Sequence, residues 1–433
     1  MSAPLGARRA TRRYVGLTAL RWLPVGLSAP VTVLLASARG LSPADIGIVF
    51  AVYSAVVLVL ELPTGGLADA VGHRPVLVLA GLLSVAGLLA TVAADGVATF
   101  ALAQALMGVG RALDSGALEA WYVDTVRATD PDADVTPGLS RAGAADGAGL
   151  CLGALLGGLL PLLAGDGGSG VLAAPLLLAA ALSLVSVLAV AVLVVPVGRR
   201  RASALRASLH GVPGVVRGTV RLAARDRVLR RLLAVSLLVG AVLATLELLG
   251  PLHVADLTGS RTEGAAVFGV VMAVSFAAAG VGALLAPAVR RLARGSVAAA
   301  TACLAALGAL AVAAVTVAGP LALGCLFAAF YVLNAAAWPL WKQLLHGQVA
   351  AGHRATTLSA SSLALQVGAL TGSLLLPRLA ESAGLPVGFW AAAGALLLVA
   401  LVSLGLRPAR TGPRPPGTAA ATRVAADHGR THA

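Results

Sequence analysis

From end to end the chain alternates between apolar runs of about 20 residues or more and brief polar interruptions. Such a run crosses a ~30 Å hydrocarbon core as an α-helix rising 1.5 Å per residue. Inside lipid no water satisfies the backbone, so a spanning chain must form helices or a closed barrel. Twelve runs can be read, over 14–38, 43–67, 75–94, 98–122, 137–163, 172–195, 229–255, 264–289, 297–317, 320–345, 356–379 and 385–406. A soluble chain would need roughly 25% charged residues to cover so much apolar surface; this one has 12%, against 58% hydrophobic. The expected fold is an all-α polytopic membrane protein.

The longest interruption, 196–228, divides the runs into two sets of six. It carries Arg199, Arg200, Arg201, Arg206, Arg217, Arg221, Arg225 and Arg227, which predicts a basic segment on the membrane surface. The expected organisation is a tail (1–13), a six-helix bundle (14–195), this linker (196–228), a second six-helix bundle (229–406) and a disordered tail rich in Pro, Gly and Ala (407–433). Lys and Arg stay on the cytoplasmic side during insertion. All 32 except Arg21, Arg39, Arg111, Arg261 and Arg378 fall in the tails, in loops after even-numbered spans, or at the helix ends facing them. Both termini are therefore expected in the cytoplasm, with the chain multi-pass in the cytoplasmic membrane.

Several function classes are disfavoured. The net charge of +14 is spread over short loops without aromatic interleaving, which fits anionic lipid headgroups rather than nucleic acid. No P-loop and no HExxH-type spacing occurs, so neither direct nucleotide use nor a metal or other cofactor is expected. Cys151, Cys303 and Cys325 lie in apolar runs and read as small packing residues. Arg8 to Arg13 with the small residues Ala36–Ala38 imitate a cleaved signal, but Arg21 interrupts the apolar stretch and the run is long for one. A polytopic prenyl- or acyltransferase would need a catalytic cluster. "DPDAD" at Asp130–Asp134 stands without a partner cluster and reads as solvated.

The two halves echo one another. "LGALLGGLLP" (Leu152–Pro161) in the fifth span parallels "VGALTGSLLLP" (Val367–Pro377) in the eleventh. More weakly, Gly65, Asp69, Gly72 and Arg74 align with Gly282, Ala286, Val289 and Arg291. Six spans repeated in parallel predict two bundles with a substrate cavity between them.

Between the second and third spans lies "PTGGLADAVGHRPVLV" (Pro63–Val78). Gly65 and Gly66 allow close helix approach, and Gly72 allows a reversal before Pro75. Asp69 and Arg74 fall at the membrane boundary, where charge is partly hydrated. The pattern G-x-x-x-D-x-x-G-x-R resembles the signature of the major facilitator superfamily, with Ala70 and His73 where basic residues are usual. The resemblance implies a cytoplasmic latch: Asp69 facing the N-terminus of the eleventh span, where Thr356 and Thr357 suit capping, and Arg74 pairing with Asp124 when the inner gate is closed. "GLCLGALLGG" (Gly149–Gly158) resembles an exporter motif of the family, with Ala154 in place of its proline. Gly149, Gly153, Gly157 and Gly158 would let a neighbouring helix approach and slide.

Ionisable groups inside spans cost at least ~2.5–3.5 kcal/mol at a helix centre unless a cavity or partner receives them. The fourth span, "MGVGRALDSGALEAWYVD", carries Arg111, Asp114 and Glu119. Arg111 and Asp114, three apart, can pair on one face of a continuous helix, with Glu119 within about 80° of it. The Arg is similar to a basic residue of the family's fourth span implicated in proton handling, although Ser115–Gly116 shifts the following glycine by one. Asp114 and Glu119 are the expected proton or cation-substrate sites, with Arg111 as partner. Arg21, Asp146, Glu247 and Asn334 are further cavity candidates, as is Trp338 beside Pro339; Glu61, Trp121 and Trp341 read as interfacial. The expected function is that of a monomeric, proton-coupled antiporter of the major facilitator type, exporting a small, partly apolar compound, with an importer as the alternative.

Overall fold

The computed structural model describes residues 5–64, 67–163, 168–196, 221, 226–348 and 354–406. Its described helices form two bundles. In the first half the spans are Ala7–Ala38, the helix Pro43–Thr64, His73–Ala93, a fourth span made of Val97–Asp114 and Ala117–Arg127, Thr136–Leu163 and Ser169–Leu193. In the second they are Arg227–Thr258, Arg261–Leu292, Val297–Val317, the helix Pro320–Gln348, Arg354–Ala383 and Leu385–Leu404.

Two spans are broken, each for a reason visible in its residues. The first is split into Ala7–Ser28 and Thr32–Ala38, with Pro30, which has no amide donor, at the break. The fourth stops at Asp114, turns through extended Ser115 and left-handed Gly116 (φ 75°), and restarts at Ala117. Only glycine adopts that conformation without steric cost. Among the described residues eleven spans are long and apolar enough to cross a membrane by composition; the fourth, interrupted and carrying Gln104, Arg111 and Asp114, falls outside that set.

The internal repeat is legible in who packs on whom. The first span lies against the fifth and sixth, the second against the fourth, and the third against the fourth and sixth. In the second half the seventh lies against the eleventh and twelfth, the eighth against the tenth, and the ninth against the tenth and twelfth. Across the halves the fifth span packs on the eighth and the eleventh on the second, again in matching positions. Apolar side chains in lipid gain little from meeting one another, so close packing of small residues carries these contacts. Outward, Leu284, Leu292, Val317 and Leu321 are 81–87% exposed, a surface that only lipid would cover stably.

Glycines set the approach of the helices. A Cβ at Gly149 would sit 2.8 Å from Ala19 O, and one at Gly153 would sit 2.8 Å from Gly26 Cα on the first span; Gly157 meets Leu27. The equivalent Gly372 lies 2.7 Å, by the same construction, from Ala241 Cα on the seventh. Gly158 instead faces the other half, 2.8 Å from Gly269 Cα of the eighth span, and Gly47 of the second span meets Ser373 and Pro377 of the eleventh. The Gly158 contact lies on the side away from the first helix's start and the last helix's end. On that side, too, the Ala44 amide donates to Glu381 Oε2 at 2.9 Å. On the side of the termini, Ser362 Oγ donates to Glu61 Oε1 at 2.7 Å.

Several sequence expectations are corrected. The first helix begins at Ala7, seven residues before the apolar run, and the eleventh begins at Arg354, so Thr356 and Thr357 sit inside a helix rather than at its N-cap; their side chains lie outside the described residues. Val289 and Arg291 are helical, and the turn of the second half falls at Arg294 and Gly295 (φ 53° and 80°), so the weak echo of Gly72 and Arg74 is not a structural equivalence. Trp121 is wholly buried, its Nε1 donating to Val195 O at 3.0 Å, rather than interfacial. Cys303 and Cys325 are exposed rather than packed. Residues 197–220, 222–225 and 407–433, which include nearly all of the basic linker and the tail, lie outside the described residues.

Candidate functional site: a charged cavity between the halves

A cavity of about 570 Å³ lies between the bundles, within the ~300–1,000 Å³ range of small-molecule sites. Its lining on the terminal side includes Leu77 and Val190, each within about a turn of a helix end. Toward the opposite side it reaches Thr32 and Val33 of the first span's second helix. That helix packs on the sixth, seventh and eighth spans. Together with the Gly158–Gly269 contact it closes the cavity on the opposite side.

Among the described residues four charged side chains line the cavity: Arg21, Arg111, Asp114 and Glu247. Asp114 pairs with Arg21 of the first span, not with Arg111. Arg111 and Asp114 share one unbroken helix, so their spacing allows a local pair, but Asp114 is met by the Arg21 guanidinium of the first span while Arg111 turns to Trp22. The break that follows, at extended Ser115 and left-handed Gly116, takes Glu119 off that face. Arg21 and Asp114 are each about one-fifth exposed. The exposed carbonyl end of the broken helix is occupied as well: Thr64 Oγ1 donates to Ala112 O at 2.9 Å. Arg111 sits in that last turn, where a cation opposes the negative end of the helix dipole, and its guanidinium stands 5.9 Å over the Trp22 ring.

Asp146 of the fifth span is half-buried, does not line the cavity, and has a buried Oδ1 with no hydrogen-bond partner among the described residues; it lies within electrostatic reach of both Arg21 and Arg111. Glu119, in the first turn after the break, is exposed, outside the cavity, and in reach of Tyr14 instead. Glu247 projects from the seventh span, exposed to the lumen, with neither ion pair nor hydrogen bond among the described residues. Asn334 and Trp338 are not at the central cavity. Asn334 is half-buried on the tenth span, and Trp338 borders a separate void of about 20 Å³ with Trp341, Lys342, Ser236 and Ser361. Trp341 is 7% exposed rather than interfacial.

At the expected latch, Gly65 and the side chain of Asp69 lie outside the described residues. Gly72 takes φ 103° and reverses the chain as expected. Arg74 is exposed and does not meet Asp124. Asp124, about half exposed, is approached instead by His73 Nε2 at 3.7 Å, and His73 is 6% exposed. The residue that departs from the family pattern is thus the one beside the acid. Sequence reasoning also passed over Tyr53, buried Gln104 and Gln366 of the cavity wall, and the Glu61–Ser362 link between halves. Gln104 and Gln366, amides within apolar runs, were detectable signals.

The sequence matches the family description Major Facilitator Superfamily over residues 15–335. The chain belongs to the Major Facilitator Superfamily. It is therefore a transporter, not an enzyme, and a small molecule is the cargo of such a protein. No curated protein matches it. Among solved structures it resembles the nucleoside transporter NupG at 15% identity and TM-score 0.74, covering 92% of this chain and 98% of that one. It resembles the peptide transporter POT in complex with sulfate at 17% identity and TM-score 0.67, covering 92% and 94%. The human organic anion transporter MFSD10 (TETRAN) matches at 19% identity and TM-score 0.58, covering 92% and 99%. These likenesses speak for the superfamily fold.

Proposed function

We propose that this superfamily member is a proton-coupled antiporter of the cytoplasmic membrane, both termini in the cytoplasm, which exports a small, partly apolar compound by alternating access. One observation carries the proposal: the Arg21–Asp114 pair forms part of the cavity wall, with the partnerless Asp146 oxygen beside it. A proton on Asp114 neutralises the carboxylate and releases Arg21, whose charge Asp146 is placed to receive. Protonation thus adds one positive charge to the wall that cargo also contacts. Proton and cargo then alter each other's affinity by the same factor, as linkage requires.

Export polarity is supported by the glycine pattern of the fifth span, which packs on its own half through Gly149, Gly153 and Gly157 and on the other half through Gly158. One helix therefore packs on both bundles, through adjoining faces. The cytoplasmic latch of Asp69, Arg74 and Asp124 belongs to the same reading, for a conformer closed on the terminal side, with His73 as an additional member.

The test is transport in proteoliposomes of known orientation carrying a trapped pH dye. Cargo added on the terminal side should drive protons the opposite way, and Asp114→Asn should abolish gradient-driven accumulation while leaving downhill exchange measurable. Cargo and protons moving in the same direction would replace export by import. Full gradient-driven activity in Asp114→Asn would remove Asp114 as the carrier.

A further inference from the structure

The charges of the central cavity do not cancel in place. Of the four that line it, Arg21 and Asp114 neutralise each other. What remains is one guanidinium, Arg111, and one carboxylate, Glu247, both exposed to the lumen and neither in an ion pair among the described residues. They belong to different halves, Arg111 to the fourth span and Glu247 to the seventh. The Tyr53 phenol on the second span lies within electrostatic reach of both, which places them across one lumen. The rest of the wall is mostly apolar, with Phe50, Leu243, Phe268, Met272 and Phe276 among its members.

A lone anion would satisfy Arg111 and leave Glu247 unpaired; a lone cation would do the reverse. Leaving one charge of such a site unmatched is costly, which makes specificity sharper than contact area alone would. We propose that the cargo is a zwitterion: an apolar-bodied small molecule whose anionic group sits on Arg111, over Trp22, and whose protonated amine sits on Glu247. The assignment rests on the transporter reading and deepens it. A cargo bridging residues of both halves ties its own binding to their approach, which couples occupancy to the conformational change. It also gives the antiport a sign: a proton on Asp114 removes one negative charge from the cavity wall, which weakens the hold on the amine, so protonation and cargo binding oppose each other.

The probes are a series of ω-amino carboxylates of increasing chain length, with the alkylamine and the alkanoate of each length, added to the purified full-length protein and followed by its melting temperature. At the length that spans the gap, the zwitterion should bind more tightly than either singly charged relative by about thirtyfold or more, the equivalent of the ~2 kcal/mol minimum for an unmatched buried charge. Arg111→Gln should erase the preference over the amine, and Glu247→Gln the preference over the carboxylate. Both side chains face the lumen, so the ligand-free melting temperature checks that each variant folds. The double exchange Arg111→Glu with Glu247→Arg should recover zwitterion binding in reversed orientation, a recovery that a merely structural role would not give. Equal or tighter binding of the amine or the alkanoate, or no binding by any member, overturns the proposal. The best-binding zwitterion is then tested for counterflow in proteoliposomes: binding without exchange counts against the transport reading alone, whereas exchange restricted to a singly charged relative counts against the zwitterion alone.

Discussion

At the scale of single residues, the Arg21–Asp114 pair is where stability and function meet. Removing Arg21 leaves a carboxylate in a poorly hydrated wall, and removing Asp114 leaves a guanidinium there. For partners about one-fifth exposed, each single change to leucine should cost about 1–3 kcal/mol, below the cost for a fully buried pair. The double change to leucine should cost less than the sum, and melting of the four proteins in a double-mutant cycle measures that coupling. An additive result would mean that the two side chains do not interact in solution. On the loop before the fifth span, Asp134 accepts a hydrogen bond from the Thr136 amide at 2.9 Å at the start of the helix. The Thr136 hydroxyl and that amide together hold the Asp134 carboxyl below its ordinary 3.8. Because the folded value is the depressed one, the cap is complete above the ordinary value and is lost as pH falls through the lower value. Hydrogen-exchange protection of the Gly138 and Leu139 amides should therefore persist through mild acid in the wild type. In Asp134→Ala it should already be reduced at neutral pH, whereas equal protection in both proteins would deny the cap.

Among the elements, the fourth span is the most informative, since its break ends the helix that carries Arg111 and Asp114 and sets Glu119 outside the cavity. Gly116 holds φ 75°, so Gly116→Ala should destabilise the protein by about 1 kcal/mol, with Gly116→Asn costing less because Asn tolerates the left-handed region better. Thermal melting would show the order, and an alanine variant as stable as the parent would mean that the turn is not fixed. The same element shows what was legible in the sequence. Run length and charge gave the spans and the halves, because lipid enforces helices whatever the side chains do. Cavity membership of Arg21, Arg111, Asp114 and Glu247 was legible too, because charge inside an apolar run has few other places to go. The pairing was not. An i, i+3 spacing says which side chains can meet, not which do, and the partner Asp114 takes is Arg21, 93 positions away in the chain; Ser115–Gly116, a turn, sets Glu119 apart from both. Trp121 and Trp338 failed differently: a tryptophan near a helix end looks the same in sequence whether it anchors at an interface, fills a core or borders a cavity.

For the whole molecule, the contacts on the side opposite the termini favour a conformer closed there. Enlarging Gly158 should reverse that preference, because a Cβ at that position would lie 2.6 Å from Ala265 O and 2.8 Å from Gly269 Cα. In Gly158→Val, a cysteine replacing Met272 in the cavity wall, with Cys151, Cys303 and Cys325 removed, should react several-fold faster with an impermeant thiol reagent from that side, since alternating conformers lie close in energy. Unchanged labelling would show that the glycine contact does not bias the two states. The broken fourth span also reaches back into the making of the protein. Its first helix carries Gln104, Arg111 and Asp114 and, among the described spans, is the one not apolar enough to enter lipid on composition alone, while the first span emerges from the ribosome with Arg21 still unmatched. Each burdens its own insertion until the other arrives. Synthesis of the fourth span supplies Arg21 with its counter-charge, so the salt bridge relieves an insertion cost in both spans besides forming part of the cavity wall.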